Sequence, residues 1–476
     1  MRAFIHYSKF FTTRVVDELH ALQQLEISYT HIGEVTFRDV LRALHKGIGG
    51  WYHLKTLGVA QCDLGEYAVE LLSRDVREID SGDEIALEEI NFSSNKLQDE
   101  TIFLLSTCLA LCTQLKRLDL RHNSITKRSI AEVASSLSKA SGLRVLHVRS
   151  NRIGDEGLAD LLRYVVHWPA LEELDLTRCR LTCRSLPALS EALPQLSSLK
   201  VLNLSGNDLR LVQEMKDDIP VGDLKLFVHD PAYLKGGSGK VPTSFALDRR
   251  DREAGRVRYK GPTVEELEGE KPSSAKVNVF AHFGEALSSC RSLEVLDLSD
   301  TVLEDGSFTN LAQTLTLPKL RELRLGSNPL FAGAQTSLDH LVSLLWSSNE
   351  LEVLDLAFTG IGDLGLTVLC DGTSEGCEGV LGSLHQLRIL HLSHCRANKL
   401  GLESLCARLG DFSKLERLAY DGNCSPNEGL EELLGRAAAL ASLEFLGLTG
   451  CTPLREGLRS CEAYRTLREK GVVILV

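Results

Sequence analysis

The chain of 476 residues is 43% hydrophobic and 25% charged, which is typical of a globular protein and excludes disordered, collagen-like and membrane-spanning classes. Its formal net charge of -12 argues against nucleic acid as the main partner, because phosphate binding favours a basic surface. Thirteen cysteines are too sparse for a disulfide framework, so we expect a reducing compartment, most simply the cytoplasm.

Residues 1–21 are predicted to form an N-terminal capping segment. Phe11, Val15 and Leu19 recur at helical spacing, which favours a short amphipathic helix. The basic residues that precede the first acid, Asp17, weakly resemble a mitochondrial transit peptide. We therefore keep the mitochondrial matrix as a less favoured location.

From residue 22 onward the sequence repeats itself. The strings that begin at Leu115, Leu143, Leu171 and Leu199 follow one another at 28-residue intervals and share the form L-x-x-L-x-L-x-x-(N/C/T)-x-L. All copies start at Leu22, Leu54, Leu87, Leu115, Leu143, Leu171, Leu199, Leu293, Leu320, Leu351, Leu387, Leu415 and Leu443. We number them repeats 1 to 13: repeats 1–7 occupy residues 22–211, repeats 8–13 occupy residues 279–470, and residues 471–476 form a terminal edge strand.

Each position of the repeat has a physical reason. Leu118 and Leu120 alternate with Asp119, which predicts a short strand with one buried face. The ninth position holds Asn, Cys or Thr, whose side chain can satisfy amides where the backbone leaves the sheet, so the cysteines there are predicted to be structural. A small residue and apolar residues at helical spacing follow, as in Gly157 and Leu158, so each unit is predicted to be strand, turn and helix.

This pattern resembles the leucine-rich repeat superfamily, and in particular its ribonuclease-inhibitor-like class, over most of the chain. The resemblance implies an α/β fold, a right-handed β-α superhelix known as the leucine-rich repeat horseshoe solenoid. Its parallel sheet would line the concave face and its helices the convex face. One unit cannot bury its own apolar face, but a stack of units buries a continuous core.

An insertion separates repeats 7 and 8. It runs from residue 212 to 278 and enters between strand and helix, which places it on the rim at the carboxyl ends of the strands, where parallel sheets usually bind ligands. It is predicted to be either a surface excursion whose charges neutralise each other or a docking arm that orders on a partner. The basic residues predicted to bind a protein there are Arg249, Arg250, Arg252, Arg256, Arg258 and Lys260.

No cofactor and no metal are predicted. The segment from Gly236 to Lys240 resembles a phosphate loop, but a Walker A motif needs Gly in place of Leu234 and Ser or Thr in place of Val241. A smaller expansion around residues 371–383 is accompanied by cysteines and histidines whose spacing matches no known zinc site. These are Cys370, Cys377, His385, His391, His394 and Cys395.

The side chains between the second and third leucines are predicted to point into the arch. They alternate in charge across neighbouring strands, so this face is either a solvated, self-compensated surface or a partner site. The residues predicted to bind a protein are Asp119, Arg121, His147, Arg149, Asp175, Arg178, Asp297, Arg324, Asp355 and His391. His147, expected between the carboxylates of Asp119 and Asp175, should have a raised pKa.

The final strand, from Val472 to Val476, has no helix after it in this sequence. Either a neighbouring chain pairs with this edge, or the preceding helix around Tyr464 and Leu467 folds over it.

We find no catalytic motif, so the chain is predicted not to be an enzyme and to bind no small-molecule substrate. The repeat surface and the insertion favour a structural scaffold for protein–protein interactions within a multi-subunit assembly, with the ciliary axoneme or the cytoskeleton preferred by analogy. One alternative is a soluble inhibitor or sensor that holds a single basic partner in the arch. The other is a Ran-type GTPase-activating protein, a type that shares this class of repeat.

Overall fold

Strand, turn and helix recur along the chain as the repeat pattern predicts. The computed structural model describes residues 2–4, 22–77, 85–211, 219–220, 276–331, 335–372, 379–451 and 455–476. The chain divides into a larger unit, Met1–Lys216 with Asn278–Val476, and a smaller unit, Asp217–Val277. The two leucine-rich segments of the sequence both lie in the larger unit.

One parallel sheet of fifteen described strands runs through the larger unit, and its strands are neighbours in chain order from β1 to β8 and from β11 to β17. The strands are β1 (Arg2–Phe4), β2 (Gln24–Glu26), β3 (Thr56–Gly58), β4 (Glu89–Asn91), β5 (Arg117–Asp119), β6 (Val145–His147), β7 (Glu173–Asp175), β8 (Val201–Asn203), β9 (Ile219–Pro220), β10 (Lys276–Val277), β11 (Val295–Asp297), β12 (Glu322–Arg324), β13 (Val353–Asp355), β14 (Ile389–His391), β15 (Arg417–Ala419), β16 (Phe445–Gly447) and β17 (Val473–Leu475). Strand β8 pairs directly with β11, so the sheet continues across the insertion.

A helix follows the turn of most repeats. The described helices are α1 (Gly33–Ile48), α2 (Glu66–Arg77), α3 (Asp99–Leu109), α4 (Lys127–Ser136), α5 (Gly154–Leu162), α6 (Leu186–Ala192), α7 (Val279–Ser289), α8 (Asp305–Ala312), α9 (Gln335–Trp346), α10 (Gly362–Asp371), α11 (Lys399–Arg408), α12 (Asn427–Ala439), α13 (Arg455–Ser460) and α14 (Glu462–Glu469). Helix α7, the first after the insertion, is capped at its N-terminus by Asn278, whose Oδ1 accepts hydrogen bonds from the amides of Phe280 and Ala281 at 3.0 and 3.3 Å. None of the described helices is long and apolar enough to span a membrane.

The core lies between the sheet and the helices and continues from repeat to repeat. Leu118 and Leu120 from β5 and its exit, and Ile130 from α4, are completely shielded from solvent. Full burial of one such side chain contributes roughly 2 kcal/mol. Because each repeat supplies half of two interfaces, stability depends on the stack and not on any single repeat.

The asparagine at the ninth position holds neighbouring turns together. Asn123 Oδ1 accepts hydrogen bonds from the amides of Asn95 and Leu97 at 3.2 and 3.0 Å. Its Nδ2 donates to the carbonyls of Phe92 and Leu120 at 3.1 and 3.0 Å. The same pattern recurs at Asn95, Asn151, Asn207, Asn328 and Asn423. The predicted role of this position, satisfying backbone groups outside the sheet ladder, is confirmed.

Cysteines at the ninth position play the same structural part. Cys395 Sγ donates to the carbonyl of Leu356 at 3.0 Å, and Cys451 Sγ donates to that of Tyr420 at 3.0 Å. Burial raises the pKa of the Cys395 thiol to about 12, so the thiol stays protonated and unreactive in the folded protein.

The residue before the ninth position adopts left-handed backbone geometry. The φ angles of His122, Ser150 and Arg178 are 53°, 57° and 52°. Such a conformation costs a non-glycine residue roughly 1–2 kcal/mol, which the ninth-position hydrogen bonds help to offset. The repeat pattern gave no signal for it, because glycine stands there in only some repeats.

The N-terminal strand β1 pairs in parallel with β2, with Arg2 opposite Gln24. The helix predicted from Phe11, Val15 and Leu19 lies outside the described residues. In the smaller unit, β9 and β10 form an antiparallel pair.

At the other end of the sheet, β17 pairs with β16. Leu467 of the preceding helix α14 is completely buried, and its carbonyl accepts a hydrogen bond from the amide of Val472 at 3.0 Å. Val473 and Leu475 remain about half exposed, at 51% and 47%. A partner at this edge therefore stays a prediction.

Candidate functional site

Strand pairing in register places one row of side chains across the sheet. The middle residue of each strand points into the core, so its two neighbours face the opposite side. Along the row lie Asn91, Asp119, His147, Asp175, Asn203, Asp297, Arg324, Asp355 and His391. The predicted assignment of these residues to one row is confirmed, whereas their role in binding a partner stays a prediction.

A network of charged groups centres on His147, whose side chain is only 6% exposed. Its Nε2 lies 2.7 Å from Glu173 Oε1, and its Nδ1 lies 3.8 Å from Asp119 Oδ2. Asp119 also accepts hydrogen bonds from Arg121, with Nε and Nη2 at 3.0 and 2.7 Å from Oδ2. The four groups form a chain of alternating charge on the sheet face.

The pKa values of this network follow from its geometry. Burial by itself would raise the pKa of Asp119, but the nearby imidazole of His147 and the hydrogen bonds from Arg121 outweigh it and hold the pKa far below its usual range. Burial would lower the pKa of His147, but the nearby carboxylate of Asp119 and the hydrogen bond with Glu173 raise it above its ordinary value of 6.5. The imidazole is therefore stabilised as a cation, as the sequence predicts.

The second carboxylate beside His147 is not the one expected. Sequence reasoning placed Asp175 there, because it is the next residue of the row. Asp175 Oδ1 instead accepts hydrogen bonds from the amide and hydroxyl of Thr177 at 3.0 and 2.6 Å. Glu173, two residues earlier on the same strand and on the same face, occupies the position next to His147.

The distal half of the row differs in a similar way from the expected alternation. Arg324 Nη2 donates to Glu322 Oε2 on its own strand at 2.6 Å, so Arg324 does not form a close pair with either row neighbour. His391 Nδ1 lies 3.8 Å from Asp355 Oδ2. Burial raises the pKa of Asp297, although the amide of Ser299 donates to its carboxylate at 2.9 Å.

Arg149 and Arg178 lie beyond the row, where the strands end. Neither forms an ion pair or a side-chain hydrogen bond within the described ranges. They differ in this respect from Arg121, which is bound by Asp119.

Some of the other candidate residues lie outside the described residues, and the rest can be examined as possible metal ligands. The insertion residues Arg249, Arg250, Arg252, Arg256, Arg258 and Lys260 all lie outside the described residues, as does Cys377. Among the residues that are described, no group of three or more His, Cys, Asp or Glu side chains could hold a metal ion.

Sequence reasoning missed a second row on the same face and an aromatic pair at the rim. The first residue of each strand lies on the same face as the third, because side chains alternate along a strand. This period of two could have predicted Glu173. It could also have predicted the stacking of Arg417 over the Phe445 ring at 4.7 Å. At the rim, the ring of Phe358 is 55% exposed and stacks on His394 with centroids 4.3 Å apart.

The strand–turn–helix stack, its asparagine ladder and its charged sheet face define a repeat solenoid. A family model of the PRAME C-terminal domain matches residues 5–171, and a model of the leucine-rich repeat matches residues 347–370. The chain is 27% identical to the ribonuclease inhibitor of Sus scrofa, over 74% of this chain and 80% of that protein. It is also 27% identical to that of Mus musculus, over 81% of this chain and 76% of that protein.

Among solved structures, an internalin from Listeria monocytogenes aligns over 96% of this chain and 88% of its own, with 14% identity and a TM-score of 0.42. The leucine-rich repeat model and the two ribonuclease inhibitors show that the chain is similar to the leucine-rich repeat superfamily, in particular to its ribonuclease-inhibitor-like class.

Proposed function

We propose that this chain is a non-enzymatic scaffold that binds a protein partner on the charged sheet face and serves as a structural subunit of a larger assembly. The observation that carries the proposal is the network from Arg121 to Glu173, in which charged groups are fixed by close contacts while Arg121 and Glu173 keep about a third of their side-chain surface exposed. Charges held in place before binding lose little conformational entropy on association, which favours specific recognition.

Site-specific photo-crosslinking tests this proposal. A photoreactive phenylalanine analogue is placed at Val201 or Val295, which lie on the sheet face, in the tagged full-length chain expressed in its native cells. The matched control places it at Val166, which is 57% exposed in a short 3-10 helix outside the sheet. We expect the same partner protein to be captured from Val201 and Val295 but not from Val166. Recovery of the uncrosslinked monomer from both face positions would overturn the proposal.

The alternative of a soluble inhibitor is favoured by one observation, the similarity to two ribonuclease inhibitors over most of the chain. It would place a basic enzyme against the acidic groups of the sheet face, in keeping with the net charge of -12. An RNA-cleavage assay with a pancreatic-type ribonuclease distinguishes it. Stoichiometric inhibition would support the inhibitor, and full activity at excess protein would reject it.

The setting of the scaffold is part of the proposal. The twelve described cysteines are free thiols, which supports a reducing compartment such as the cytoplasm. An axonemal or cytoskeletal assembly rests on analogy with other repeat scaffolds, and imaging of the tagged chain tests it. The Ran-type GTPase-activating alternative stays a prediction, which a GTP-hydrolysis assay with small GTPases can decide.

A further inference from the structure

Charge is unevenly distributed along the rim where the strands end. Three positions of each repeat face this rim: the seventh, the eighth and the tenth. In repeats 4 to 6 they hold five arginines and no acidic residue, whereas repeats 2, 7, 8 and 12 each place an aspartate there. We call the five arginines the basic rim: Arg121, Arg149, Arg152, Arg178 and Arg180. A concentration of positive charge in a chain of net charge -12 calls for an explanation.

The backbone that carries the basic rim is fixed. The amide of His122 donates to the carbonyl of Arg149 at 2.9 Å, and the amide of Arg178 donates to that of Ser205 at 2.9 Å. These bonds continue the strand register into the turns, so neighbouring repeats stay about 4.8 Å apart at the rim. The arginines of three repeats therefore stand over a span of about 10 Å.

Most of the basic rim lacks a counter-charge. Arg121 is neutralised by Asp119, but Arg149, Arg152, Arg178 and Arg180 have no acidic partner anywhere in the described ranges. The carboxylate of Asp175, at the end of the strand that leads to Arg178, is hydrogen-bonded to its own turn.

The side chains of Arg149 and Arg178 pack against neighbouring parts of the sheet edge. The Nε of Arg149 is buried and has no hydrogen-bond acceptor, which costs about 1–3 kcal/mol unless another group compensates it. Arg178 reaches across to the next repeat, where Gly206 leaves room for it: a Cβ at Gly206 would come within 2.5 Å of Arg178 Cγ. The pKa of His122 is lowered mainly by burial, and the positive charges of Arg149 and Arg121 lower it further.

We propose that the basic rim binds an acidic segment of a partner protein, a short extended run of Asp and Glu side chains that pair with Arg149, Arg178 and Arg180. The inference rests on the scaffold function and names the chemistry of its partner. Arginine suits this role because its planar guanidinium binds a carboxylate through two parallel hydrogen bonds.

The size and surroundings of the patch favour a peptide over nucleic acid. A span of about 10 Å accommodates three or four residues of extended chain. Asp63, Asp208 and Asp300 lie at the same rim positions of other repeats and would repel a long polyanion that continued past the patch. A partner with a few carboxylates avoids that repulsion.

Fluorescence anisotropy with the full chain tests the proposal. The probe is a fluorescein-labelled peptide of alternating Glu and Gly, compared at low salt with a Lys–Gly peptide and a thymidine oligonucleotide of equal length. We expect the Glu peptide to bind and the Lys peptide not to bind. Tighter binding of the oligonucleotide than of the Glu peptide would overturn the proposal in favour of a nucleic-acid site.

The decisive variant is Arg149→Gln/Arg178→Gln/Arg180→Gln, which we expect to weaken Glu-peptide binding by roughly tenfold or more. Should the triple variant fail to fold, Arg180→Gln alone, at an exposed position, is expected to weaken binding by about threefold. Unchanged binding in either folded variant would contradict the proposal.

The matched control is Arg74→Gln/Arg163→Gln/Arg436→Gln, which removes the same charge from exposed positions of the helical layer and its turns. Binding by this variant should stay within about twofold of the wild type, and an equal loss would mean that net charge alone governs binding. The rim variant is also carried through the photo-crosslinking from Val201. Undiminished capture of the partner would contradict the rim proposal but not the scaffold proposal. Binding of the Glu peptide without any captured partner would contradict the scaffold proposal but not the rim proposal.

Discussion

The Nε2 of His147 lies 2.7 Å from the Oε1 of Glu173 on the neighbouring strand, while Asp175, its partner in the sheet register, turns to Thr177. The buried imidazole is thus held between Glu173 and Asp119 on either side. We therefore expect the stability of the middle repeats to depend on pH.

Replacing His147 should reveal this sensitivity. The folded pKa of His147 is raised above 6.5, so its contribution to stability is complete below pH 6.5 and is lost as the pH rises through the folded pKa. We expect His147→Gln to lower the thermal midpoint clearly at about pH 6 and much less at about pH 9. Thermal unfolding followed by circular dichroism at both pH values measures the difference.

His122 provides a control of opposite sign. Its pKa is lowered by burial and by Arg149, so the unfolded chain binds protons more readily and the wild type loses stability as the pH falls through 6.5. His122→Gln should therefore gain stability relative to the wild type in acid. A parallel pH profile for both histidine variants would contradict this account.

The two buried aspartates of the row should respond oppositely to neutralisation. The lowered pKa of Asp119 means that its carboxylate stabilises the fold above pH 3.8, a contribution that is lost as the pH falls through the folded pKa. The raised pKa of Asp297 means that ionisation of its carboxyl group destabilises the fold once the pH exceeds the folded pKa. At neutral pH we expect Asp119→Asn to lower the thermal midpoint and Asp297→Asn to leave it unchanged or raise it. A fall of equal size in both variants would contradict this account, because it would show that the charge of Asp297 stabilises the fold as that of Asp119 does.

The asparagine ladder should be among the most sensitive features of the fold. Asn123→Ala removes the acceptor of two buried amides and one of the donors to two carbonyls, so we expect a loss of about 3 kcal/mol in the free energy of unfolding. Ser124→Ala, at the exposed next position, is the control and should cost less than about 0.5 kcal/mol. Urea denaturation compares them, and similar midpoints for the two variants would remove the ladder from the explanation.

Thiol reactivity checks the structural role assigned to the ninth-position cysteines. Burial raises the pKa values of Cys179 and Cys395 to about 12, whereas Cys424 is exposed. Native protein treated with iodoacetamide should be alkylated at Cys424 and spared at Cys179 and Cys395 until urea is added. Peptide mass spectrometry locates the label, and rapid native labelling of Cys395 would show that its repeat opens.

Much of the fold could be predicted because the repeat is a local signal. Leu118 and Leu120 mark a strand by their alternation, and the 28-residue interval fixes which strands are neighbours. The row from Asp119 to His391 follows directly, since in-register strands place equivalent residues side by side. The left-handed turn residues could not be predicted, because His122 and Arg178 occupy them at a cost that only the surrounding hydrogen bonds offset.

The sequence by itself therefore determined the solenoid, its strand order and the face on which its charged residues stand, because period and spacing act through the backbone. Only the tertiary structure decided which charges meet. Glu173 rather than Asp175 binds His147, Glu322 holds Arg324, and Arg149 is left with a buried Nε and no partner. Each of these outcomes depends on side-chain reach and on competition from nearby backbone amides and hydroxyls, which differ from repeat to repeat even though the backbone does not.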